Sequence, residues 1–133
     1  MELKRKAFCA ASPDKEWVAV LLYYLTDIKG KIDIEILDMY LFHFAEGMAF
    51  DFKTKKESEM LARAEAEAVG YAMDKGYDLM RLQKGFVHSH CSLPPVASFP
   101  DIAEMKSNAG NHYMYLFLIT NNKRVASIVV GIA

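Results

Sequence analysis

The pattern of apolar and polar positions divides the chain into segments with two different periods. From Trp17 to Leu25, nine apolar residues run without interruption, and Glu16 stands immediately before them. A run this short, rich in Val and Tyr, predicts a strand buried on both faces rather than a helix. Asp27–Lys31, which carries Gly30, predicts a hairpin turn. Beyond it Ile32, Ile34 and Ile36 alternate with Lys31, Asp33 and Glu35, the period of a strand with one wet face. The alternation continues less cleanly through Leu37–Phe44 and breaks at Ala45-Glu46-Gly47, with one more short strand expected over Met48–Phe52. Upstream, Lys4–Ala11 is expected as a first strand, ended by a turn at Ser12-Pro13-Asp14.

The period lengthens after Thr54. Thr54-Lys55-Lys56-Glu57 has the spacing of a capping box, and the helix it opens should run to about Lys75, with Gly76 as a left-handed C-cap. Leu61, Ala64, Ala68, Tyr71 and Ala72 then share one face, with Glu57, Arg63, Glu67 and Asp74 turned away from it. After Gln83–Gly85, the apolar pair Phe86-Val87 leads a strand into His88-Ser89-His90. The loop Ser92–Ala97 contains Pro94-Pro95. Ser98-Phe99-Pro100-Asp101 is a second capping box with Pro in its first turn, and predicts a helix from Phe99 to about Ser107. Tyr113–Thr120 is a strand of aromatic and branched residues, Asn121-Asn122 a tight turn, and Arg124–Ile132 its partner. The order predicts a mixed α/β fold, a central sheet flanked by helices.

Composition narrows the class. With 133 residues the chain has the length of one domain with a single core, and 53% hydrophobic against 25% charged residues is ordinary for a globular protein. A net charge of −1 gives no general attraction to nucleic acid or to an anionic membrane. Two cysteines, Cys9 and Cys91, form no disulfide framework and fit a reducing compartment. MELKRKAFCAAS lacks the apolar core of a signal peptide, and Trp17–Leu25 falls short of the ~20 residues of a membrane helix. These features lead to the expectation of a cytoplasmic protein.

The candidate chemistry lies between Gly85 and Asp101. On a strand, alternate residues project to one face, so His88 and His90 would stand side by side while Ser89 faces away. Two imidazoles with the Asp101 carboxylate make the usual three-ligand set of a catalytic zinc, with a fourth position left for water. Such a water needs a base and its oxyanion needs a donor. Glu16, at the head of an apolar strand, and Ser98, close to the metal, are the candidates. Ser98 and Asp101 are explained as a helix N-terminus, which is compatible with catalysis because a capping hydroxyl keeps its own proton to donate. His43 reads as packed or solvent-facing, His112 as a polar cap at the sheet end, and Asn108 and Asn111 as helix-end and turn residues. The eight methionines, spread through the chain, read as core filler.

The spacing H-S-H-x7-S-x-x-D, with an upstream Glu heading an apolar strand, resembles the JAMM motif of JAB/MPN-domain metalloproteases. From Glu16 to the end, including NAGNHYMYLFLITNNKR, the chain is similar to short JAB-like proteins encoded by bacteriophages, matching only in outline between Tyr40 and Lys84. The resemblance implies a cytidine-deaminase-like sandwich, zinc held by His88, His90 and Asp101, Glu16 as general base and Ser98 as oxyanion donor. It implies an amide-cleaving zinc metallopeptidase or isopeptidase acting on a protein or peptide, in a phage-infected or bacterial cytoplasm. Cys91 stands where the family often has Pro and is read as a non-ligand. Family members that process ubiquitin carry an insertion between the Asp and the next strand. Only eleven residues separate Asp101 from Tyr113, which favours a different peptide or protein tail. The alternative is a catalytically silent MPN-like scaffold, although such domains have usually lost a ligand. A nucleobase deaminase is excluded, because neither its H-x-E nor its P-C-x-x-C signature occurs.

Overall fold

The computed structural model describes residues 2–11, 16–44, 55–90, 114–123 and 125–131. In chain order these form helix α1 (Glu2–Ala11), strands β1 (Trp17–Ile28) and β2 (Lys31–Phe44), helix α2 (Lys55–Asp74), and strands β3 (Leu82–Ser89), β4 (Met114–Thr120) and β5 (Val125–Gly131). The fold is mixed α/β. The five strands among the described residues form one sheet in the order β2-β1-β3-β4-β5, antiparallel throughout except for the parallel pair β3 and β4.

β1 lies between β2 and β3, and every side chain from Trp17 to Tyr23 is fully buried. Each Val or Leu taken out of water in this way contributes roughly 1.5–3 kcal/mol relative to exposure. One face of the sheet carries α2. Val20, Leu22, Phe86 and Ile119 pack there against Ala64, Ala68 and Ala72, with Leu61 and Tyr71 at the margin. The alanines recur every fourth residue, so a seam of small side chains lets the helix sit close to the sheet. Trp17, Ala19, Leu21, Tyr23, Val87, Leu116 and Leu118 form the opposite face, joined by Cys9 and Phe8 of α1.

α1 corrects the expectation of a strand over Lys4–Ala11. The segment has no β-branched residue, and three alanines favour helix. Arg5, Phe8 and Cys9, spaced three and four apart, turn inward, and Phe8 meets the Trp17 ring edge-on at 5.2 Å. Lys29 and Gly30 make the hairpin turn, both with positive φ (53° and 80°), as a two-residue primed turn requires. The imperfect alternation in Leu37–Phe44 belongs to one continuous strand. Leu37 is an extra residue between the pairs Leu22–Asp38 and Tyr23–Ile36, and across the bulge the inward positions pass from Ile34 to Met39 and Leu41. The isoleucine face is only partly covered, since Ile32 and Ile36 each remain 41% exposed.

α2 ends as its sequence predicts. Gly76 has φ +79°, its amide donates to Met73 O, and the Tyr77 amide donates to Ala72 O, the paired bonds of a Schellman cap. The expected strand at Met48–Phe52, the turn at Ser12-Pro13-Asp14, the loop Ser92–Ala97 and the helix Phe99–Ser107 lie outside the described residues, as does Thr54 of the first capping box. No helix among the described residues is long and apolar enough to cross a membrane.

Candidate metal centre

The site forms where β1 begins and β3 ends. Because these strands are antiparallel neighbours, with Val18 opposite His88, the start of one meets the finish of the other. Alternation along β3 sends Phe86 into the α2-side core and Val87 into the α1-side core. His88, two residues after Phe86, therefore belongs to the α2 face, and Ser89 to the α1 face. His90 lies one residue beyond β3, where its amide donates to Thr120 O at 2.7 Å and keeps the chain aligned with β4. The rings of His88 and His90 stand edge to face, with centroids 5.0 Å apart.

Glu16 precedes β1 by one residue, and its carboxylate Oε1 is 3.3 Å from His88 Nε2. Ligand atoms of Glu16, His88 and His90 all lie within 4.8 Å of one another, close enough to bind one metal ion. Two imidazole nitrogens and a carboxylate oxygen are donors that divalent transition metals accept. Both histidines are buried, and the Glu16 side chain is 13% exposed, so a cation here would be attracted in a medium less polar than water.

One contact was not anticipated from the sequence. Ser89, facing away from the histidines, accepts a hydrogen bond at 2.8 Å from the backbone N–H of Trp17. It thereby pins the first residue of β1 against the last residue of β3, and with it the backbone that carries Glu16. Its signal was a small hydroxyl residue between two histidines, at a position where the opposite strand has just begun and its amide needs a partner.

Of the predicted site residues, the structure brings Glu16, His88 and His90 together. Ser98, Asp101, Cys91, His112, Asn108 and Asn111 lie outside the described residues, as does the side chain of His43. No protein-family model matches the chain, and no curated protein matches it significantly.

Proposed function

We propose that the protein is a zinc-dependent metallopeptidase or isopeptidase of the JAB/MPN kind, with that family's cytidine-deaminase-like sandwich, acting on a peptide or protein tail. The observation that carries this reading is the convergence of a carboxylate and two imidazoles, from Glu16, His88 and His90, at one end of neighbouring strands. The H-S-H-x7-S-x-x-D spacing supplies the remaining roles.

His88 and His90 would hold the metal together with Asp101, leaving Glu16 for proton transfer. Bound zinc supplies Lewis acidity, lowering the pKa of water and polarising a carbonyl. Glu16, held beside His88, accepts the proton of the attacking water and delivers it to the leaving amine. Ser98 donates a hydrogen bond to the oxyanion of the tetrahedral species.

Elemental analysis of protein purified without chelator or added metal tests the reading, with an expected stoichiometry of about one zinc per chain. Protein that stays zinc-free even after soaking would overturn it and leave the silent scaffold as the reading to pursue.

A further inference from the structure

A second site lies on the other face of the sheet, at the same end. Arg5, Lys6, Cys9 and Ala10 of α1, with Asn122 and Lys123 of the turn after β4, line a cleft of about 420 Å³. Three of the six residues are cations and none is acidic, in a chain whose net charge is −1. Positive charge is therefore concentrated here against the average of the molecule.

The cleft's floor is held in place. Arg5, 4% exposed, donates from Nη1 to Asn121 O at 3.0 Å and to Thr120 Oγ1 at 3.3 Å. The Cys9 thiol donates to the same Asn121 carbonyl at 3.6 Å, and the Thr120 hydroxyl at 3.1 Å. The carbonyl that would otherwise repel an anion is thus engaged by three donors. Asn121 Oδ1 accepts from the Lys123 amide at 2.8 Å, which fixes the turn that brings Lys123 to the rim.

We propose that this cleft binds a small ligand through a phosphate group. A phosphate monoester carries about −1.5 to −2 charges at neutral pH and three acceptor oxygens, a better match than a single carboxylate to a cleft lined by several cations. The volume lies within the ~300–1,000 Å³ of small-molecule sites, so a group attached to the phosphate also has room, against Cys9 and Ala10. The cleft lies behind the sheet from the histidines, and its ligand does not depend on the metal reading.

The test is a titration of the full chain at constant ionic strength, with chelator present, following the amide NMR signals of Lys6, Ala10, Asn122 and Lys123. The probes are inorganic phosphate, ribose 5-phosphate and acetate. Saturable shifts are expected with both phosphates and not with acetate. A tighter ribose 5-phosphate complex identifies a phosphorylated metabolite as the ligand, and equal affinities identify free phosphate. The double variant Lys6→Gln/Lys123→Gln, changed only at exposed positions, should fold normally and weaken binding by about tenfold or more. Shifts that never saturate, that acetate reproduces, or that survive the double substitution unchanged would overturn the proposal.

Discussion

Glu16 Oε1 lies 3.3 Å from His88 Nε2, a contact made between the residue that leads into one strand and the end of its neighbour. That separation is slightly long for a charge-assisted hydrogen bond, which runs nearer 2.7–2.9 Å as a rough norm. If Glu16 moves protons while the histidines hold metal, the two roles separate by mutation. Glu16→Gln should retain zinc and lower turnover by about 10²–10⁴-fold, the usual contribution of a general base. His88→Ala should lose the metal itself. Zinc content and peptide turnover, measured on the same preparations, check both. Glu16→Gln protein that still turns over at the original rate would show that another group is the base.

Ser89 should matter although it faces away from the metal. Ser89→Ala removes the acceptor of the buried Trp17 N–H and should cost about 1–3 kcal/mol of stability in a denaturant titration. It also releases the start of β1, so turnover should fall while the zinc-to-chain ratio stays near that of the parent. Ser89→Thr keeps an acceptor oxygen and should restore part of the activity. An alanine variant with unchanged stability and turnover would mean that the Trp17 amide finds another partner.

The parts of the fold legible in the sequence are those where local chemistry and tertiary packing agree. The run Trp17–Leu25 lies in a strand that is buried on both faces through Tyr23, because β2 and β3 flank it and side chains of a helix pack on each side. The alanine seam of α2 and the Gly76 cap could be read from spacing alone. Leu37 explains the faded alternation in β2, since a one-residue bulge inverts the period without ending the strand. α1 carries little periodic signal, because its apolar stretch is short and stands behind lysines. Its identity is set by contacts that Arg5, Phe8 and Cys9 make with distant strands. At the site, the two histidines and Glu16 were legible because strand alternation and an apolar run place them. Ser89 was not, because its role depends on which strand lies opposite.

Gly85 is a further position where packing decides. A Cβ built there would lie 2.1 Å from the backbone oxygen of Leu116 and 3.2 Å from its carbonyl carbon. Backbone cannot rotate aside as a flexible side chain can, so Gly85→Ala should force β3 and β4 apart just before their parallel pairing at Phe86–Phe117. The expected loss is about 1–3 kcal/mol, the usual cost of overpacking. Because the same strand carries His88 and His90, zinc affinity should fall as well, measurable by competition with a chromogenic chelator. Wild-type stability in this variant would mean that the two strands tolerate a wider separation.

Asp38 and Lys4 give the protein a pH-dependent strut between its helices and the edge strand. Lys4 Nζ lies 2.6 Å from Asp38 Oδ1 and donates to Tyr71 OH at 2.7 Å and Met39 O at 3.1 Å, while Tyr71 OH donates to Asp38 Oδ2 at 2.5 Å. Tyr77 OH donates to the same oxygen at 3.4 Å, and the Lys75 ammonium stands 5.6 Å from the Tyr71 ring centre. Burial disfavours the Asp38 carboxylate, but hydrogen bonds from Lys4, Tyr71 and the Met39 amide, with the Lys4 charge, outweigh it and hold its pKa below the ordinary 3.8. Burial likewise disfavours the Lys4 ammonium, yet its bonds to Asp38 and Tyr71 raise its pKa above 10.5. A depressed acid stabilises the fold above its unfolded pKa and loses that contribution as pH falls through the folded one. A raised base stabilises below its unfolded pKa and loses it as pH rises through the folded one. The network should therefore contribute fully between about pH 4 and pH 10, with losses on the acid side from Asp38 and on the alkaline side from Lys4. Asp38→Asn should lower the midpoint of thermal unfolding at neutral pH and flatten its decline below pH 4, as followed by circular dichroism across a pH series. An acid limb identical in parent and variant would show that other carboxylates set the acid sensitivity and that the strut does not contribute to it.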